Sequence, residues 1–213
     1  MIKAALFDFG GVILSSPFDA FSRYEAAQGL PDGFLRGLNA TNIHTNAWAQ
    51  FERNEVSFDE FCSRYESEAA AAGHKIDARE VIGLLSGDLR PAMVEALRRC
   101  RARLKTACLT NNVVSMDTGG PDPEGRRGQL AEVMKLFDVI VESSQVGVRK
   151  PEPEFYRIAC DLLSIEPHEA VFLDDLGVNL KPAKAMGMTT IKVVDPDVAI
   201  AELEAAVGFP LRG

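Results

Sequence analysis

Asp8 stands at the end of an apolar run, in FDFGGV, where the backbone is about to turn. Three other apolar runs lead to polar groups. Thr110 and Asn111 close TACLTN, Lys150 follows FDVIVES after a short turn, and Asp174 and Asp175 close AVFLDD. Together they form a kit for chemistry on an anionic group. A carboxylate can be a nucleophile, and a hydroxyl and an ammonium can hold charged oxygens. Further carboxylates can hold a hard cation such as Mg²⁺. Cation and lysine would neutralise the charge that builds during phosphoryl transfer. Each residue also has a plainer reading. Asp8 could form a turn, Asp174 and Asp175 could cap a helix from about Val178, Lys150 could be solvated, and Thr110–Asn111 could simply begin a loop. Four polar groups at four strand ends favour the chemical reading.

Those strand ends need a scaffold that brings them together. The runs AALFD (4–8), TACLT (106–110), FDVIVES (137–143), AVFLD (170–174) and TTIKVV (189–194) are apolar nearly throughout, as strands covered on both faces are. Helical patterns separate them. RPAMVEALRRCRAR (90–103) and PEFYRIACDLLSI (153–165) each carry a proline near the first turn. The second aligns Phe155, Ile158, Ala159, Leu162 and Leu163 on one face. Alternating strands and helices specify an α/β fold with a parallel sheet wound on both faces, whose ligands sit at the carboxyl ends of the strands. From about Pro17 to Gly87 the rhythm breaks. FDAFSRYEAAQ, TNAWAQFERNE, SFDEFCSRYESEAAAAG and DAREVIGLL are helical and no strand intervenes, so the segment is expected to be a helical insertion. MDTGGPDPEGRRG (116–128) is expected to be a mobile surface loop.

Composition narrows the class. The 213 residues are 46% hydrophobic and 25% charged, and the net charge is −8 without any Lys/Arg block, which argues against nucleic acid or an anionic membrane as partner. Cys62, Cys100, Cys108 and Cys160 make no CxxC pair and are expected to be free, buried thiols of a reducing compartment. Neither a signal peptide nor a bilayer-length apolar run is present, so a cytoplasmic protein is expected.

Asp8 in FDFGGV, the LTN of Leu109–Asn111, the KP of Lys150–Pro151 and the DDxxxN of Asp174–Asn179 resemble the four motifs of the haloacid dehalogenase (HAD) superfamily. The stretches VESSQVGVRKPEPEFY and VFLDDLGVNLKPAKAMGMTTIKV are similar to the N-terminal phosphatase domain of soluble epoxide hydrolase. The resemblance implies a Rossmann-like core domain, residues 1–16 and 88–213, with 17–87 as an inserted helical cap domain. It also implies a Mg²⁺-dependent phosphatase that acts on a small phosphorylated metabolite through a phosphoaspartate. Asp8 would attack phosphorus, and Thr110, Asn111 and Lys150 would hold the phosphoryl oxygens. Asp8, the carbonyl of Gly10 and Asp175 would bind Mg²⁺. Asp174 would act through water or as a supporting partner, and Asn179 would support the metal loop or the substrate.

One position departs from that pattern. Phosphatases of the superfamily usually carry a second Asp, the general acid and base, where this chain has Gly10. A glycine keeps the carbonyl for a metal but moves no proton, and general acid–base catalysis is typically worth about 10²–10⁴-fold. A slow phosphatase is therefore expected. His44, in the insertion, is the one candidate replacement, although a cap histidine is more often a surface or packing residue; His74 and His168 lie in loops and take no role. Two other readings stand beside it: a metal-free 2-haloacid dehalogenase, and a degenerate protein that binds a phosphorylated ligand without turnover. Adjacent acids at 174 and 175 favour the metal. Trp48, Phe51, Phe58, Phe61 and Tyr65 are spaced as the core of the insertion.

Overall fold

The central strands are apolar nearly throughout, because helices cover both of their faces. In the computed structural model, which describes residues 1–111 and 125–212, five strands form one parallel sheet. They are β1 (Ala4–Phe7), β2 (Lys105–Thr110), β3 (Val139–Glu142), β4 (Ala170–Asp174) and β5 (Thr189–Lys192). Their order is β3-β2-β1-β4-β5, and all four pairings are parallel. The alternation of side chains along a strand splits the core in two. Ala5, Phe7, Cys108, Val171 and Leu173 point into one layer, against α6 (Pro91–Arg101) and α11 (Pro196–Val207). Ala4, Leu6, Leu109 and Phe172 point into the other, against α9 (Pro153–Leu163) and α10 (Gly177–Ala185). Two short helices complete the β2–α9 region, α7 (Arg126–Met134) and α8 (Ser143–Val146).

The chain runs from β1 outward through β2 to β3, then returns to place β4 on the other side of β1. The carboxyl end of β1 is therefore the point where the strand order reverses, the usual location of a ligand crevice. Asp8 is the first residue beyond that end, and its N–H donates to the Leu173 carbonyl at 2.9 Å.

Between β1 and α6 lie five helices: α1 (Phe18–Gln28), α2 (Phe34–Ala40), α3 (Ala47–Glu52), α4 (Phe58–Ala71) and α5 (Ala78–Gly83). They pack a hydrophobic cluster of their own, in which Trp48, Phe51, Phe61 and Tyr65 are buried and Phe51 stacks on Phe61 at 4.4 Å. Ser57 and Glu60 close a reciprocal capping box at the start of α4. The segment leaves and rejoins the sheet through two adjacent connections. Leu14 pairs with Leu89 in an antiparallel bridge, and Ser15 N–H donates to the Asp88 carbonyl at 2.7 Å.

Several local expectations are corrected. Leu162 is 58% exposed, and Tyr156 and Cys160 take the buried positions on α9 instead. The helix therefore faces the sheet with a stripe rotated from the one its leucines suggest. α2 and α11 add to the expected helices, and in α2 the glycines at 33 and 37 mask a helical pattern. Of the stretch 116–128, residues 116–124 lie outside the described residues, and Arg126 onward belongs to α7 rather than a loop. All four cysteines are free and buried. Among the described residues no helix is long and apolar enough to cross a membrane.

Candidate active site

After Asp8 the chain makes a tight turn over Phe9–Ile13, closed by Leu14 N–H donating to the Phe9 carbonyl at 2.8 Å. Its two glycines do different work. Gly11 has φ +76°, and a Cβ there would lie 2.2 Å from Asp175 Oδ2, so only glycine lets the Asp175 carboxylate approach the turn. Gly10 has φ −71° and ψ 133°, an ordinary extended conformation, with nothing within 4 Å of a Cβ. Arg90 Nη1 fastens the turn by donating to the Gly11 carbonyl at 2.9 Å.

Lys150 arrives from the segment after α8 and is 1% exposed. Its Nζ lies 2.8 Å from Asp8 Oδ1 and 2.8 Å from Asp174 Oδ2. Asp174, wholly buried, is saturated. Its Oδ1 accepts from Leu176 N–H at 2.8 Å, and Asn179 Nδ2 lies 3.0 Å from both of its oxygens. Asp8 Oδ1 also accepts from Phe9 N–H at 2.7 Å, while Oδ2 accepts no hydrogen bond among the described residues. Among the described residues the one side chain that donates to Asp175 is Ser16, whose Oγ lies 3.4 Å from Oδ2. Carboxylate oxygens of Asp8, Asp174 and Asp175 all lie within 4.8 Å of one another.

Two acids thus meet one ammonium with a third beside them, and the ionisation of Asp8 and Asp175 shows the imbalance. Burial pushes the Asp8 carboxyl well above its ordinary value, with Lys150 opposing and Asp174 adding to the rise. Asp175 is pushed up to about 6 by burial and by Asp174. For Lys150, burial works against the charge but is outweighed by Asp174 and Asp8, which hold the ammonium firmly protonated. Excess negative charge with open carboxylate oxygens on Asp8 and Asp175 fits a hard divalent cation, which supplies the missing positive charge.

The other expected site residues divide. Thr110 is the last residue of β2, half-buried, and its hydroxyl makes no hydrogen bond among the described residues. Asn111 is placed differently from expectation. Its Nδ2 donates to the Lys150 carbonyl at 3.0 Å and to Glu52 Oε2 at 3.1 Å, and its Oδ1 accepts from Lys150 N–H at 2.8 Å. Both amide hydrogens are taken, so the side chain clamps the lysine segment instead of offering a donor. Asn179 braces Asp174, and Tyr156 in turn donates to the Asn179 carbonyl at 2.6 Å. His44 lies exposed on the insertion, with its carbonyl accepting from Arg53 Nη2 at 3.0 Å.

Four neighbours of the site escaped the sequence reading: Ser16, Glu52, Arg90 and Arg149. A signal existed for two of them. Arg149 adjoins Lys150, and Glu52 is an acid one helical turn from Trp48 on an otherwise apolar face.

A family model, haloacid dehalogenase-like hydrolase, matches residues 2–187. Mouse acyl-CoA dehydrogenase family member 10 is 35% identical over 99% of this chain, which spans 20% of that protein. Mouse bifunctional epoxide hydrolase 2 is 34% identical over 98% of the chain, spanning 40% of its length. A sesquiterpene phosphatase of Aspergillus oryzae is 30% identical over 97% of both chains. Among solved structures, a HAD-like family hydrolase from Porphyromonas gingivalis superposes with a TM-score of 0.69 at 19% identity, covering 97% of this chain and 98% of that one.

Proposed function

The chain belongs to the haloacid dehalogenase-like hydrolases, and from that premise we propose that it is a Mg²⁺-dependent phosphatase working through a phosphoaspartate. The observation that carries this reading is the charge imbalance: three carboxylates about one ammonium, with open oxygens on Asp8 and Asp175. A site for a halide and a monocarboxylate would gain nothing from Asp175. The similarity to a sesquiterpene phosphatase over nearly its whole length supports the same reading.

Asp8, the Gly10 carbonyl and Asp175 would hold Mg²⁺, which when bound neutralises charge on the phosphoryl group. The remaining steps belong to the side chains. One Asp8 carboxylate oxygen attacks phosphorus, while Lys150 and Phe9 N–H, which meet Oδ1, hold the carboxylate in place. The bond from Asp8 to phosphorus forms as the ester P–O bond breaks, and the electron pair leaves on the alcohol oxygen. Two N–H groups of Lys150 point at carboxylates, leaving the third, with the Thr110 hydroxyl, for phosphoryl oxygens. Asn111 contributes by bracketing the Lys150 peptide. Water then attacks phosphorus, inorganic phosphate leaves and Asp8 is regenerated. With Gly10 offering no proton, the leaving group must take its proton from water. Residues 17–87 form the cap over residues 1–16 and 88–213 and select a small phosphorylated metabolite.

An aryl phosphate assayed with Mg²⁺ and with chelator, beside 2-chloropropionate, tests the reading. Phosphate release is expected, dependent on Mg²⁺ and faster for aryl than for alkyl esters. Chloride release in chelator without phosphate release would make the protein a metal-free dehalogenase.

A further inference from the structure

The lysine at the centre of the site is not placed by the core alone. Asn111 brackets its peptide, accepting from Lys150 N–H at 2.8 Å and donating to its carbonyl at 3.0 Å. Arg149 precedes it in the chain. Both side chains end on the same group, the carboxylate of Glu52 at the end of α3 in the helical insertion. Arg149 Nε and Asn111 Nδ2 donate to Glu52 Oε2, and Trp48 Nε1 donates to Oε1 at 2.8 Å. The Glu52 carbonyl accepts from Ser143 Oγ at 2.6 Å, and Arg149 Nη1 reaches the Ile43 carbonyl at 2.8 Å. Glu52 is 7% exposed. A buried carboxylate with three donors from three segments is a fixed joint, and it lies on the path from the insertion to the lysine.

We propose that Glu52 is a positioning residue. Through Arg149 and Asn111 it fixes the backbone of Lys150, so that seating of the helical insertion and placement of the catalytic ammonium are one event. The proposal rests on the phosphatase reading for its effect on turnover, but its geometric half does not. Lys150 Nζ must meet Asp8 and Asp174 together, and a slack backbone would let it favour one. Misplacement of about 1 Å at such a site can lower the rate by about 10²-fold. The single tryptophan of the chain is hydrogen-bonded to the same carboxylate and reports on it directly.

The test uses Glu52→Gln, which keeps the shape and an acceptor for Trp48 but loses the charge that Arg149 meets, together with Arg149→Gln. Three quantities are measured on full-length protein: kcat and KM for an aryl phosphate with Mg²⁺, amide exchange of the segments 43–53 and 148–155, and Trp48 emission. The expected result is a loss in kcat of about 10²-fold with KM little changed. Exchange should rise in both segments together, and emission should shift in both variants, although the indole's hydrogen bond is to Glu52 and not to Arg149. A folded Glu52→Gln protein with wild-type kcat would overturn the proposal. So would a fall in kcat with exchange over 148–155 unchanged, since Glu52 would then act by another route. If the wild type releases no phosphate, the phosphatase reading fails and exchange alone decides: a joint rise sustains the joint, and a rise confined to 43–53 overturns it. Should Glu52→Gln melt early, Arg149→Gln carries the same comparisons.

Discussion

Two groups of buried charge lie side by side above the sheet, and they are built on opposite rules. Around Glu52 each carboxylate oxygen has its donors, and Arg149 supplies the opposing charge. Around Asp8 three carboxylates surround one ammonium, and open oxygens remain on Asp8 and Asp175. Buried charges that are fully paired are static, because moving any one strands its partners. Buried charges that are incompletely paired raise the energy of the empty site, and a cation or an anionic substrate bound with it relieves that. Within the second group the same distinction recurs at adjacent residues. Asp174 is saturated and serves the lysine, whereas among the described residues Ser16 is the one side chain that donates to Asp175.

The sharpest break in this comparison is Asp8→Asn. It removes the proposed nucleophile and one of the excess charges with almost no change in shape. Turnover of an aryl phosphate should fall by at least about 10⁴-fold, on the scale of losing a nucleophile, while thermal unfolding should show an intact fold. Normal melting with wild-type turnover would end the phosphoaspartate route.

Gly10→Asp should act in the other direction. Gly10 has an extended backbone and open space where a Cβ would go, so an acid fits without strain. A gain of roughly 10²-fold is expected for alkyl phosphates, and less for aryl ones, whose phenolate leaves without a proton. Gly11→Ala is the control, since its Cβ would collide with Asp175 at a backbone of positive φ. If the native protein already hydrolyses alkyl phosphates well and Gly10→Asp loses activity, another group supplies the proton.

The contrast between these glycines marks the limit of what the sequence makes legible. GG is one dipeptide, and nothing local separates the residue that admits a side chain from the one that cannot. The strands were legible because burial on both faces leaves a continuous apolar signature, and the polar residues that follow them had to meet at one edge of a parallel sheet. Asp8, Lys150, Asp174 and Asp175 do converge there. Which of their oxygens stays open was not legible, because Leu176 N–H, Asn179 and Ser16 decide it through contacts that spacing does not encode. Asn111 shows the same limit. The family resemblance implies that it holds phosphoryl oxygens, but Glu52, 59 positions away, and Lys150 take both amide hydrogens.

The smallest effect is the most specific to the open half of the comparison. Asp175 titrates at about 6 in the folded protein against an ordinary 3.8, because burial and Asp174 disfavour its charge. The folded state therefore binds a proton between about pH 4 and 6 that the unfolded chain has already released. Stability contributed by this group is present at low pH and is lost as pH rises through that window. Without Mg²⁺, the melting temperature of the wild type should fall relative to Asp175→Asn between pH 4 and 7, since the amide cannot ionise. Mg²⁺ takes the place of the proton and should restore the wild type at pH 7. Calorimetric affinity for Mg²⁺ should weaken below pH 6 and fall by roughly 10-fold or more in Asp175→Asn at neutral pH, the scale of disturbing a metal's surroundings. Equal Mg²⁺ affinity in the two proteins would remove Asp175 from the metal shell, and the excess charge around Asp8 would then need another occupant.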